Sequence, residues 1–224
     1  NRYRWYFQDR LIQRVDASVE SSLVDDLHGR RLDRSHWIGA EFQTPNGDWL
    51  NVNWQPSSEV LDDPFAIRPG IVIPAGDYSW DRGQISAGTT RSRPVNARTR
   101  VRHGRFFTGD RTDYSAELGW RPSNRIELGG EWELRDVRLP QGDFNVRVTS
   151  AKAVYTFNPD LQLSLLAQYD NLSEEIGFNF RTKWIVQPGN EIFFIVNQGY
   201  DLMDDHFRPT ENETSVKGSW TYRF

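Results

Sequence analysis

The stretch Asp113-Tyr114-Ser115-Ala116-Glu117-Leu118-Gly119-Trp120-Arg121 decides the reading of this chain. Tyr114, Ala116, Leu118 and Trp120 share one parity; Asp113, Ser115, Glu117, Gly119 and Arg121 share the other. Side chains alternate between the two sides of a strand, so this pattern predicts a strand with one apolar and one polar face. The neighbouring sequence repeats it. Ile126, Leu128, Gly130, Trp132 and Leu134 alternate with Arg125, Glu127, Gly129, Glu131, Glu133 and Arg135. Ile176, Phe178, Phe180, Thr182, Trp184 and Val186 alternate with Gly177, Asn179, Arg181, Lys183, Ile185 and Gln187. Helical periodicity is nearly absent.

Counted outward from there, alternation predicts about twelve strands, near 9–23, 35–43, 48–55, 77–91, 95–107, 111–121, 124–136, 143–157, 161–170, 174–187, 190–200 and 214–224. Strand 143–157 changes phase between Phe144, Val146, Val148 and Ala151, Ala153, Tyr155, Phe157, which predicts a β-bulge near Thr149 and Ser150. The connections alternate long and short. Tight ones such as Thr44-Pro45-Asn46-Gly47, Ser92-Arg93-Pro94, Pro122-Ser123-Asn124, Asn158-Pro159-Asp160 and Gln187-Pro188-Gly189-Asn190 carry turn residues. The opposite end carries 24–34, 56–76, 137–142, 170–174 and the acidic 201–213, together with 108–110, which is short unless it extends over 105–113. Short turns at one end and long loops at the other are the pattern of an outer-membrane barrel, and an even strand number puts both chain ends on the short-turn side.

Composition sets the limits. The chain has 224 residues, 27 Lys+Arg, 31 Asp+Glu and a net charge of −4. That length fits one domain, 1–224. The near-balanced charge argues against a nucleic-acid partner. No cysteine is present, which excludes disulfides, Cys-ligated zinc and a thiol nucleophile. A mean hydropathy of −0.70 and the lack of any run of about 20 apolar residues exclude a bundle of membrane helices, but not a membrane barrel. The opening Asn-Arg-Tyr-Arg-Trp has no initiator Met and no signal-peptide pattern, so the expectation is a mature piece or a fragment.

Alternation alone fits a soluble barrel or sandwich as well. Three features favour an inside-out arrangement. The polar parity is heavily ionic. Aromatics fall near expected strand ends, at Tyr78, Trp80, Trp120, Trp132, Trp184, Trp220 and Tyr222, as a girdle at the membrane–water interfaces would require. Trp220, Tyr222 and Phe224 end the chain in phase, as an assembly signal for outer-membrane insertion does. The fold expectation is an all-β, antiparallel outer-membrane β-barrel, lying in a bacterial outer membrane against lipid bilayer and lipopolysaccharide and handled by the barrel-assembly machinery.

Several segments also resemble a family of large outer-membrane β-barrel proteins. They are Ile73-Pro74-Ala75-Gly76-Asp77-Tyr78, Gly104-Arg105-Phe106-Phe107-Thr108-Gly109, Arg138-Leu139-Pro140-Gln141-Gly142-Asp143-Phe144, Ala167-Gln168-Tyr169-Asp170-Asn171 and the run 178–190. The resemblance covers about residues 65–200. Members often carry an N-terminal family-9-type carbohydrate-binding domain before a longer barrel. The resemblance therefore implies the C-terminal part of a larger barrel and a carbohydrate-related role. It implies no catalytic centre.

The chemistry-bearing residues are sparse. His28, His36, His103 and His206 have no metal-site or catalytic spacing, and no G-x-S-x-G elbow occurs. Glu131 and Glu133 face one side about 6–7 Å apart, but carboxylates on a barrel wall explain them better than a glycosidase pair. The acidic loop 201–213 matches no EF-hand spacing. No cofactor or metal is expected. The expected pore-lining residues are Arg98, Arg100, Arg102, Asp113, Glu117, Glu127, Glu131, Glu133, Arg181 and Lys183. Among them Arg98, Arg100 and Arg102 read either as an anion-attracting ladder or as partners of Asp113 and Glu117 on the next strand. Three functions stay open: a channel for a polar solute, an anchoring barrel with a plugged lumen, or an outer-membrane hydrolase.

Overall fold

The computed structural model describes residues 1–8, 11–202 and 208–221. Its regular structure is all β: β1 (Arg2–Tyr6), β2 (Arg14–Asp25), β3 (Arg31–Gln43), β4 (Trp49–Leu61), β5 (Phe65–Arg68), β6 (Ile71–Ile73), β7 (Gly76–Gly88), β8 (Val95–Phe106), β9 (Gly109–Ser123), β10 (Ile126–Leu139), β11 (Gly142–Asn158), β12 (Leu161–Asp170), β13 (Glu175–Gln187), β14 (Asn190–Asp201) and β15 (Arg208–Ser219). Thirteen strands form one sheet in the order β1-β2-β3-β4-β7-β8-β9-β10-β11-β12-β13-β14-β15, and β5 pairs with β6 as a separate hairpin. The chain divides into two compact units. The first comprises Asn1–Thr90, Arg98–Ser115 and Leu134–Asn145; the second comprises Arg91–Ala97, Ala116–Glu133 and Val146–Phe224.

The expected count of twelve is thus corrected to thirteen in the sheet. The additional strand is β1, whose five residues pair with the first half of β2, Arg4 opposite Asp16 and Tyr6 opposite Arg14. It is too short for alternation to reveal it. The hairpin β5–β6 was expected as part of a loop. Its strands carry apolar residues on both parities, so the period-two signal is absent; Pro69-Gly70, with Gly70 at φ +81°, makes the turn. The long-loop expectation also shrinks. Strands β8 and β9 are joined by Phe107 and Thr108 alone, and β10 and β11 by Pro140 and Gln141 alone. Ladder pairing replaces loop there because the strands continue past their apolar stretches on charged residues. The final ladder ends at Ser219, with Trp220 beyond it; Tyr222 and Phe224 lie outside the described residues.

The phase change in β11 has a different cause from the one expected. Pairing of β11 with β12 is continuous from Val148–Asp170 to Thr156–Gln162 and shifts only between Thr156 and Asn158. No bulge interrupts this ladder at Thr149 and Ser150. Val146 and Val148 therefore stay on the parity of Lys152, and Arg147 takes the other. The apolar parity turns polar at the far end of the strand.

The turns are locally determined. At the tight end, Gly47 sits at φ +81° after Pro45-Asn46, a conformation L residues rarely adopt. At the other end Asp26 accepts the backbone N–H groups of His28 and Arg30 at 2.8 and 2.9 Å. These bonds, that of Arg30 foremost, hold its carboxyl below the ordinary aspartate value.

Candidate functional site on the polar face

In the first unit the registers define two faces. Gln84 pairs with Arg102 and with Asn53; Ser86 pairs with Arg100 and with Asn51; Arg82 pairs with Gln55. Asn53 in turn pairs with Gly39, and Asp16 with Glu41. This is the polar face. The other face shows Val19 opposite Ile38, Ile38 opposite Trp54, Val52 opposite Ile85, and Ile85 opposite Val101. Those apolar side chains are exposed: Ile38 41%, Val52 42%, Trp54 48%, Ile85 59% and Val101 40%. Fully burying such a side chain stabilises by about 1.5–3 kcal/mol, so a row of them facing out signals a non-aqueous neighbour.

The polar face is the concave one. Ser86 and Ser115 are short, yet each is only 7% exposed, because longer side chains from neighbouring strands close over them. The Arg102 guanidinium lies 4.7 Å from the Trp37 ring, from β8 to β3 across the two intervening strands. Arg98 similarly reaches Trp49 at 5.5 Å.

Five arginines meet on this face: Arg82, Arg98, Arg100, Arg102 and Arg111. The carboxylate among them is Asp113, which accepts Arg82 Nη2 at 2.6 Å and Arg111 Nε at 2.7 Å. Asp113 is spent on those two. Arg102 instead donates from Nε and Nη2 to Gln84 Oε1 at 3.0 and 2.7 Å. Arg100 Nε donates to Ser115 Oγ at 3.3 Å. Of the two readings of the ladder, hydrogen-bonded pairing of Arg100 and Arg102 with Asp113 is not what forms; neutral acceptors hold both side chains. Arg82 was missed as a member. Its side chain is 6% exposed and its Nε has no hydrogen-bond partner among the described residues. The sequence signal was available: Arg82, Gln84 and Ser86 share a parity.

One apolar cluster interrupts the concave face. Ile73, Phe107, Val137 and Leu139 are buried, with Leu61, Ile67, Ile71, Tyr78, Trp80, Phe106 and Phe144 packed around them. The hairpin β5–β6 supplies Ile67, Ile71 and Ile73. Tyr78 and Trp80 carry the parity of Arg82 and Gln84 and point to the same side. This corrects their expected role: they do not belong to an outward girdle but form the floor on which the hairpin sits. Phe107 is the centre, its ring 5.2 Å from Tyr78, 4.9 Å from Trp80 and 4.7 Å from Phe106. Arg68 stacks on Phe144 at 5.1 Å, Tyr78 Oη donates to the Pro74 carbonyl at 2.8 Å, and Thr108 Oγ1 donates to Gln141 Oε1 at 2.8 Å. Three of the segments that carry the family resemblance, 73–78, 104–109 and 138–144, converge here. Gly104 is needed for the approach: a Cβ there would collide with the Asp81 carbonyl and Arg82 Cα.

Phe107 sits at φ +48°, a region that costs a bulky L residue about 1–2 kcal/mol. Packing of its ring outweighs that. Phe107→Ala keeps much of the backbone cost and loses the ring, at about 3–5 kcal/mol. The expected result is release of the hairpin, read as cleavage of the 62–75 segment by a nonspecific protease about 100-fold faster than in the parent. An unchanged cleavage rate would contradict the packing role.

In the second unit the expected residues are spread along the polar parity. Arg91 Nη2 lies 3.6 Å from Glu117 Oε2, and Lys152 Nζ lies 3.4 Å from Glu127 Oε1. Glu117, Glu127, Glu131 and Lys152 line a concavity of about 480 Å³. Lys183 pairs with Glu191 at 2.9 Å, and Arg181 stacks on Phe193 at 4.5 Å. Glu133 continues the Glu127–Glu131 parity. This unit's polar parity carries Glu117, Glu127, Glu131 and Glu133 together with Lys152, Arg181 and Lys183. Trp120, Trp132 and Trp184 are 48%, 36% and 50% exposed on the apolar parity of this unit. Trp132, however, lies mid-strand, because β10 continues through Asp136 and Arg138.

No family model matches the chain, and no curated protein matches it. Two solved structures align with the chain at low identity. A NanC porin aligns over 93% of this chain and 100% of its own at 9% identity, TM-score 0.40. The Pseudomonas putida toluene transporter TodX aligns over 83% of this chain and 72% of its own at 10% identity, TM-score 0.33. Among the described residues no group of three or more His, Asp or Glu is placed to hold a metal ion. Of the acidic loop 201–213, residues 203–207 lie outside the described part, including His206.

Proposed function

We propose that the chain is an outer-membrane β-barrel that passes small polar solutes, with a preference for anions. The observation that carries this is the inversion of the first unit's sheet: its polar face gathers five arginines around Asp113, with Arg14, Asp16 and Glu41 paired on the same parity, and its other face exposes Ile, Val and Trp. A soluble barrel places these the opposite way. A bilayer satisfies the apolar face, and a hydrated lumen satisfies the arginines. Lipid, lipopolysaccharide and the assembly machinery follow as partners of such a barrel. A saccharide as solute, or a carbohydrate-binding domain as partner, rests on the family resemblance alone.

The test is the conductance of the refolded chain in a planar bilayer, with a salt gradient across it. Steady steps with an anion-selective reversal potential support the reading. A second reading, an anchoring barrel with a plugged lumen, is favoured by the hairpin seated on the concave face. It gives no steps from a chain that is folded and inserted.

A further inference from the structure

On the outward face of the first unit, beside the exposed Ile38 and Val52, the side chains turn cationic. Arg34, His36, Trp54, Ser79, Asp81 and Arg105 line a concavity of about 320 Å³. Arg34 pairs across the ladder with Ser58, Ser58 with Ser79, and Asp81 with Pro56. The Arg34 and Arg105 side chains are exposed, and neither has a hydrogen-bond or ion-pair partner among the described residues. His36 Nδ1 shares a hydrogen bond with Ser21 Oγ at 2.8 Å, which leaves Nε2 free to face the concavity. The one carboxylate, Asp81, accepts the Trp54 indole N–H at 3.4 Å. Two unpaired guanidiniums and an imidazole therefore stand over a single aspartate. Immediately along the same face lie Ile38, Val52 and Ile85, 41–59% exposed. Trp54, opposite Ile38 on the ladder and with its N–H on Asp81, stands between the two zones, the position indoles favour at a membrane interface.

A ligand fitting both zones carries phosphate groups and acyl chains in one molecule. A free anion would use the arginines and leave the apolar rows bare; a neutral lipid would do the reverse. The concavity lies at the strand ends away from the tight turns, the end that faces outward in the proposed barrel. Guanidiniums bind phosphate oxygens in a fork geometry. We infer that this is a binding site for the phosphorylated headgroup of an outer-leaflet glycolipid of the lipid A type. The inference rests on the membrane reading.

The test uses the full chain, refolded in detergent, and native mass spectrometry with three probes: diphosphoryl lipid A, the same lipid dephosphorylated, and inorganic pyrophosphate. The parent is expected to bind diphosphoryl lipid A at least tenfold more tightly than the dephosphorylated lipid. Arg34→Ser with Arg105→Ser is expected to remove that difference while leaving insertion into liposomes unchanged. Asp81→Asn, which removes the opposing charge, is expected to tighten binding. Equal binding of both lipids by the parent overturns the proposal, as does pyrophosphate binding as tightly as lipid A. A parent chain that fails to insert into liposomes overturns the membrane reading itself, an outcome distinct from these.

Discussion

Removing the hairpin segment 63–73 and closing the gap with a short Gly-Ser turn is expected to raise single-channel conductance at least twofold. The hairpin lies on the concave face, held by Ile67, Ile71 and Ile73 against Tyr78, Trp80 and Phe107. Two strands about 4.8 Å apart with their side chains occupy roughly 100 Å² of cross-section. Under the proposed function the lumen is wider than in the eight-stranded barrels that side chains fill and narrower than in porins, taken as roughly 200 Å². Deletion therefore frees about half of it. The truncated chain exposes Tyr78, Trp80 and Phe107 to the lumen, so Tyr78→Ser and Trp80→Ser are made alongside to keep it soluble during refolding. Unchanged conductance in a folded, inserted variant would mean that the hairpin lies out of the path.

Replacing Arg98, Arg100 and Arg102 together by Ser is expected to cut the anion-to-cation permeability ratio about tenfold at 0.15 M salt. A unit charge about 7 Å from a passing ion in water contributes roughly 0.6 kcal/mol unscreened, and less than half of that at a Debye length of about 8 Å. Three such charges favour an anion and disfavour a cation by similar amounts, which gives about 1.5 kcal/mol between the two. At 1 M salt the Debye length falls to about 3 Å and the difference between parent and variant should nearly vanish. Arg82→Ser is a different experiment. That side chain is buried against Asp113, so its loss leaves a carboxylate without one of its two arginines and reduces stability before selectivity. A ladder variant that keeps the parent's ratio at 0.15 M would place these arginines away from the ion path.

The alternation around Asp113–Arg121 carried the sheet, its antiparallel order and which residues share the polar parity. Period-two patterns persist in one sequence whichever way a sheet curves, so the concavity was not legible. It emerges only from contacts between strands that are not neighbours, such as Arg102 with Trp37. The hairpin was hidden for a related reason. Ile71-Val72-Ile73 has no polar parity, since a short segment packed on other side chains needs none. Tyr78 and Trp80 misled because an aromatic near a strand end has two physical uses, a lipid interface or a docking floor, and only parity relative to Arg82 separates them. The fate of Asp113 was likewise beyond sequence: Arg82 and Arg111 compete for it from two directions and win over the ladder.

The central claim is that the polar face lines water and the apolar face meets lipid. The chain has no cysteine, so single cysteines can be placed without background. Strand β9 offers both faces within a few residues: Asp113, Ser115 and Glu117 on one, Tyr114, Ala116 and Leu118 on the other. Each is replaced by Cys, one at a time, in chain reconstituted into liposomes. Each is then labelled either with a charged, membrane-impermeant maleimide or with a fluorophore read against a lipid-borne nitroxide quencher. The expected result is alternation: position 117 reacts with the charged maleimide, position 115, beneath its covering side chains, resists quenching, and 114, 116 and 118 are quenched by lipid. Quenching at 115 and 117 with maleimide reaction at 114, 116 and 118, or no alternation at all, would contradict it.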